Sequence, residues 1–164
     1  IFKIKVISDY YQDSKSLYSS KLFINDFLEF FSNKSNLFKI RKSTLALHIR
    51  LGDYLKMKKN LPKIYLLNAI NKVIKNFSIK DINIFTDSPH DVFSIYPELL
   101  SLGIGISVFS TDDELIDLIT LSNHKFIIGS ASSFTWIASY FGEHNMVIVP
   151  EDLWLPIDKN YFIK

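Results

Sequence analysis

The amino-acid sequence predicts an α/β fold, a parallel sheet flanked by helices on both faces. Three observations lead there. Short apolar runs at 45–49, 82–85, 106–109, 125–128 and 146–149 have the length of buried strands. Between them lie amphipathic stretches with three- and four-residue apolar spacing, and strands alternating with helices close into a parallel sheet through right-handed crossovers. A chain of 164 residues, 48% hydrophobic and 15% aromatic, is long and apolar enough for one domain with its own core.

Taken in order, residues 2–7 alternate Phe2, Ile4 and Val6 with Lys3 and Lys5, as a half-buried strand does. A polar-aromatic loop, Asp9-Tyr10-Tyr11-Gln12-Asp13-Ser14, precedes a helix whose apolar face carries Leu22, Phe23, Phe27, Phe30 and Phe31. After the strand at 45–49, Gly52-Asp53 turns the chain sharply. Pro62 then opens a helix with a stripe of Ile64, Leu67, Ile70, Val73, Ile74 and Phe77. The strand at 82–85 leads into a helix over 89–100. Gly103 and Gly105 turn the chain into the strand at 106–109. Thr111 with Glu114 three residues later has capping-box spacing, and the helix over 114–122 buries Leu115, Ile116 and Ile119 with Leu118 and Leu121 at its flank. A strand at 125–128 runs into Gly129, a small-residue turn and a last helix that Gly142 stops. Pro150 ends the strand at 146–149.

Chemistry gathers at three strand ends. Arg50 leaves a buried strand at a glycine turn, the place where open α/β sheets bind ligands. It is one of only two arginines, with Arg41, among nineteen basic residues, and its planar fork suits phosphate oxygens in pairs. Asp87, just past the second strand, is placed to bond a ribose hydroxyl or a base N–H; Asp87 or Ser88 equally reads as the cap of the helix that follows. Ser130-Ala131-Ser132-Ser133-Phe134-Thr135 joins a strand to a helix start, where free N–H groups and hydroxyls cradle phosphate; these serines also read as caps. Strand ends of one sheet share an edge, so the three converge. Serines, an arginine and an acid describe a nucleotide diphosphate pocket that works without a metal. His48 begins on the buried strand and reads as orienting the loop or touching phosphate, and Asp53 as holding Arg50 or the turn.

His48-Ile49-Arg50-Leu51-Gly52-Asp53-Tyr54 resembles the H-x-R-R-G-D-Y motif of the α-1,2-fucosyltransferases, the GDP-fucose-dependent family 11 type. Leu51 departs from it where that family has a second arginine. Phe85-Thr86-Asp87-Ser88 is similar to its F-S-D-D and loses the second acid. Asp117-Leu118 resembles the start of its D-L-x-x-M-S-x-C helix, Ser132-Ser133-Phe134-Thr135-Trp136 its S-S-F-S-W-W, the 9–14 loop its G-Y-F-Q-S, and Pro150 to Trp154 its closing P-x-x-W. The resemblance implies a Rossmann-like, donor-binding half of a GT-B type glycosyltransferase. Residues 1–164 then form one nucleotide-sugar binding domain, the C-terminal part of a longer enzyme whose N-terminal half is missing. It implies inverting, metal-independent transfer of L-fucose from GDP-fucose to a galactoside hydroxyl of a glycan acceptor. Catalytic roles fall to Arg50, His48 and Asp53, and donor contacts to Arg50, Gly52, Tyr54, Asp87, Ser88, Ser132, Ser133, Phe134 and Thr135. Two other readings stand beside it: a catalytically inactive GDP-sugar binding module, and a flavodoxin- or receiver-like signalling domain.

Composition narrows the rest. With no cysteine there is no disulfide or thiolate chemistry, and no metal-ligand spacing is present, so neither metal nor cofactor is expected beyond GDP-fucose as co-substrate. Net charge is +2 with scattered lysines, and Lys56-Met57-Lys58-Lys59 reads as a solvated loop, not a nucleic-acid surface. No run approaches the ~18–20 apolar residues of a membrane span. The expected location is cytoplasmic, extending to a peripheral seat at the inner face of a bacterial membrane.

Overall fold

The computed structural model describes residues 43–111, 113–142 and 144–150. The expected strand at 2–7, the helix at 22–31 and the residues from Glu151 to Trp154 lie outside them. The described elements are β1 (Thr44–Ile49), α1 (Gly52–Lys56), α2 (Lys63–Asn76), β2 (Asp81–Thr86), α3 (Val92–Ile95), a 3₁₀ turn (Pro97–Ser101), β3 (Gly105–Phe109), α4 (Glu114–Ser122), β4 (Phe126–Gly129), α5 (Ser133–Phe141) and β5 (Met146–Ile148). All strand pairs are parallel, in the order β3-β2-β1-β4-β5. The chain winds outward from β1 through β2 to β3, then crosses back to β4 on the other side of β1. That reversal is the topological switch point of a Rossmann-like sheet.

β1 is central and wholly buried, which is why its sequence shows an apolar run instead of an alternation. Its odd and even residues still serve different layers. Leu45, Leu47 and Ile49 join Ile82, Ile84, Phe126 and Ile128 under α2, α3 and the 3₁₀ turn. Ala46 joins Phe85, Ile127, Leu121 and Ala138 under α4 and α5. Helices therefore cover both faces, as expected, and β3 at the rim is only half buried.

Four local expectations are corrected. Gly52-Asp53 does not end in a loop; it starts the short helix α1. The buried stripe of α2 is Leu66, Ala69, Ile70 and Val73, and Ile64 is 76% exposed. Both stripes have helical spacing and share Ile70 and Val73, with Ile74 and Phe77 packed half-buried on the same core; the small Ala69 hid the rest of the buried set. The helix expected over 89–100 breaks after Ile95, because Pro97 forces Tyr96 out of helical geometry (φ −122°, ψ 63°). On α4 the cap is Asp113, not Thr111: its carboxylate accepts from Leu115 N at 3.0 Å and Ile116 N at 3.3 Å. Helix α4 begins at Glu114, so the glutamate stands two residues before the third helical position that a capping box needs.

Candidate functional site

Register brings the site together. His48 on β1 lies level with Phe85 on β2 and Gly129 on β4, so all three strands end at one height. Beyond that height the chain makes three turns, and hydrogen bonds tie them to one another.

The Arg50 turn is held from both sides. Arg50 N donates to Ser130 Oγ at 3.0 Å, and Ser130 N donates back to His48 O at 2.8 Å. From the other side, Asp87 Oδ1 accepts from Leu51 N at 2.8 Å and from Gly52 N at 3.3 Å. Leu51 is the N-cap of α1 and has no side-chain oxygen, so Asp87, just past the end of β2, supplies the cap the helix lacks. Its negative charge also suits the positive end of the helix. The glycine at 52 follows from this: a Cβ there would sit 2.7 Å from Asp87 Oδ2. Asp87 therefore caps, but the helix it caps is α1 and not the one that follows it in sequence.

Arg50 is aimed by two neighbours. Its Nε donates to Asp53 Oδ1 at 2.9 Å, and its guanidinium lies 5.1 Å from the centre of the Tyr54 ring. The Asp53 hydrogen bond raises the guanidinium pKa further and holds the Asp53 carboxyl below its usual range. The terminal nitrogens of Arg50 have no protein partner among the described residues. Tyr54 is buried and its hydroxyl donates to Ala131 O at 2.6 Å, clamping α1 to the serine turn.

The serine turn divides its side chains between structure and surface. Ser132 is buried and caps α5, accepting from Thr135 N at 3.3 Å. Thr135 is buried too; its Oγ1 shares a 2.6 Å hydrogen bond with His48 Nδ1. A Cβ on Gly129 would run into that same threonine, so β4 and α5 meet too closely for any other residue. Ser133 is exposed, and Phe134 stacks on the His48 ring with centroids 5.0 Å apart. Ser133 N and Phe134 N are first-turn N–H groups with no carbonyl one turn back to reach. Burial lowers the His48 pKa to about 4, so at neutral pH the imidazole is uncharged.

These turns border a hollow of about 300 Å³ at the carboxyl edge of the sheet. It is lined by His48 and Arg50 from the end of β1, Phe85, Thr86 and Asp87 from the end of β2, Ser110, Thr111, Glu114 and Asp117 from the β3–α4 turn and the start of α4, and Phe134 from the start of α5. The lining thus combines one guanidinium, Arg50, with the carboxylates of Asp87, Glu114 and Asp117. Asp117 accepts from Thr111 N at 3.2 Å, which fixes the β3–α4 turn. Of the expected site residues, His48, Arg50, Asp87 and Phe134 line the hollow, while Gly52, Asp53, Tyr54, Ser132, Ser133 and Thr135 are not part of its lining. Ser88 lies next to Asp87, its N–H donating to Thr86 Oγ1 at 3.2 Å. The sequence put Ser130 in the phosphate-cradling run but did not show it as the acceptor for Arg50 N, and it read Glu114 only as part of a helix cap. Among the described residues no cluster of three or more His, Cys, Asp or Glu is placed to hold a metal, and no helix is long and apolar enough to cross a membrane.

No protein-family model matches the sequence, and no curated protein matches it. Solved structures do share its fold. POFUT1 in complex with GDP-fucose aligns at a TM-score of 0.51 and 15% identity, over 88% of this chain and 47% of that one. The apo form of POFUT1 aligns at 0.51 and 14% identity, over 84% of this chain and 46% of that one. POFUT1 in complex with GDP aligns at 0.50 and 14% identity over the same shares, 84% and 46%. The chain spans about half the length of the solved structures it matches.

Proposed function

We propose that this chain is the donor-binding half of a GT-B type fucosyltransferase that takes GDP-fucose. The observation that carries the reading is the shared hollow: one guanidinium and one helix start face the same space from neighbouring strand ends. The likeness in fold to POFUT1 with GDP-fucose and with GDP bound supports the same reading.

The residues suggest a division of labour. Arg50 and the N–H groups of Ser133 and Phe134 hold the diphosphate. As the bond to the sugar breaks, negative charge builds on that leaving group, and donors already fixed in place stabilise it without reorganising. Such contacts strengthen on the way to the transition state and so speed the step. Asp53 and Tyr54 aim the guanidinium, and Asp87 with Ser130 hold the turn that carries it. Neutral His48 acts through Thr135 and Phe134, fixing the start of α5. Glu114 and Asp117 suit the base: a carboxylate only accepts, and guanine offers adjacent N–H donors. Within this reading the finer assignment is inverting, metal-independent transfer to a galactoside hydroxyl in α-1,2 linkage, with a glycan acceptor bound by the other half.

A GDP-sugar binding module without transfer is the second reading, and one observation favours it. Leu51, where the resembling family has a second arginine, is fully buried in the core, so among the described residues a single guanidinium faces the hollow. The test for both is transfer of labelled fucose from GDP-fucose to lactose by the full-length protein and by Arg50→Ala. Transfer lost in the variant with GDP binding weakened supports the enzyme. Turnover equal to the parent overturns the role of Arg50. GDP binding without transfer by the parent gives the module.

A further inference from the structure

A second surface stands apart from the hollow, on the segment 55–64. It is pinned at both ends. Tyr54 is buried before it; within it, Leu61 is 2% exposed and its carbonyl accepts from the Tyr96 hydroxyl at 2.7 Å. Between and just beyond these anchors the side chains face water. Leu55 is 38% exposed, Met57 51% and Ile64 76%, and Lys56, Lys58, Lys59 and Lys63 are exposed with them.

The backbone here is built at a cost. Lys59 N donates to Tyr54 O at 2.9 Å and Lys58 N to Leu55 O at 3.2 Å, a Schellman ending for α1. That ending needs a left-handed residue, normally glycine, and here Lys58 fills it at φ 55°. A lysine therefore stands where folding alone favours its removal.

The charges are also left uncompensated. The nearby carboxylates are taken: Asp53 by Arg50 and Glu98 by Lys63 at 3.2 Å. Lys56, Lys58 and Lys59 have no ion pair among the described residues. We infer that this segment is a docking surface for an anionic lipid bilayer, with the three free lysines at the headgroups and Met57, Ile64 and Leu55 entering the interface. Lysine suits that place, since its stem lies along apolar material while its ammonium stays at the polar boundary. Protein–protein interfaces are depleted in lysine, which argues against the other half of the enzyme or a second copy as the occupant. Apolar side chains set singly between lysines likewise suit a headgroup layer better than a packed partner. The surface follows Arg50 directly in the chain, so docking would turn the edge that carries the hollow toward the bilayer.

The test is cosedimentation of the full-length protein with phosphatidylcholine vesicles, with and without phosphatidylglycerol, in the absence of nucleotide; its outcome is therefore independent of the donor assignment. Binding is expected to the anionic vesicles alone and to fall with salt. Each lysine at a charged surface contributes about fivefold, so Lys56→Gln/Lys58→Gln/Lys59→Gln weakens binding on the order of a hundredfold. Met57→Ser/Ile64→Ser weakens it at high salt, where the apolar contribution dominates. Lys58→Gly guards against a trivial loss of fold: it raises the melting temperature by relieving the left-handed strain, yet lowers vesicle affinity about fivefold. Equal binding to both vesicle types, no vesicle binding, or a triple variant that binds like the parent overturns the inference. So does a change of oligomeric state in the triple variant, which would make the surface a protein interface. Binding to a single-stranded oligonucleotide as tight as to the anionic vesicles overturns it as well.

Discussion

Asp87→Ala tests whether the turn that carries Arg50 is held in the way the structure shows. The carboxylate accepts two N–H groups, from Leu51 at 2.8 Å and Gly52 at 3.3 Å. A hydrogen bond to a charged group contributes about 1.5–3 kcal/mol when well made. The first bond has good geometry but lies beside an exposed carboxylate, so the low end applies, about 1.5 kcal/mol. The second is long and adds roughly 0.5 kcal/mol. Loss of both destabilises the chain by about 2 kcal/mol, a fall of roughly 4–8 °C in melting temperature for a domain of this size. Asp87→Asn keeps an oxygen where Oδ1 stands and loses only the charge, so its cost stays below about 1 kcal/mol. Thermal and urea unfolding of the three proteins give both numbers. An alanine variant as stable as the parent would mean that water replaces the carboxylate without loss. Equal loss in alanine and asparagine variants would mean that charge, not the acceptor oxygen, holds the turn.

Gly129→Ala pushes a methyl group into Thr135, breaks its bond to His48 and costs about 1–3 kcal/mol, read from urea midpoints. Leu66→Ala costs about 2–5 kcal/mol while Ile64→Ala is near neutral, because the first is 1% and the second 76% exposed; equal costs would contradict the register of α2. Stability should fall as pH drops from 6.5 to 4. Burial lowers His48 and His124 from 6.5 to about 4, so the unfolded chain takes up protons first across that window, and each histidine contributes about 3 kcal/mol present above it and lost through it. A flat pH profile over that range, or an unchanged one in His124→Asn, would contradict this.

The strands were legible because a parallel sheet buried on both faces writes itself as apolar runs, and the strand ends were legible because glycine and serine mark where those runs stop. Arg50 stood out by scarcity. What the sequence concealed were relations between distant residues. Nothing local tells that Asp87 caps α1, 35 positions earlier for Gly52, or that Leu51 turns into the core. Ser132 and Thr135 looked like ligand groups because capping and phosphate cradling use the same residues at the same place; their burial shows that the helix itself and His48 have claimed them. The acids of α4 were hidden for the opposite reason: Glu114 read as part of a cap and Asp117 as the start of a motif helix or a solvent-facing acid, until the fold set both in the lining that also holds Arg50.

Calorimetric titration of the protein with GDP, with UDP in parallel, tests the central claim most directly. Saturable heat with GDP, much less with UDP, and its loss in Arg50→Ala would be the signature of a diphosphate held by that guanidinium and a base read by Glu114 and Asp117. Identical isotherms for the two nucleotides, or for parent and Arg50→Ala, would contradict it.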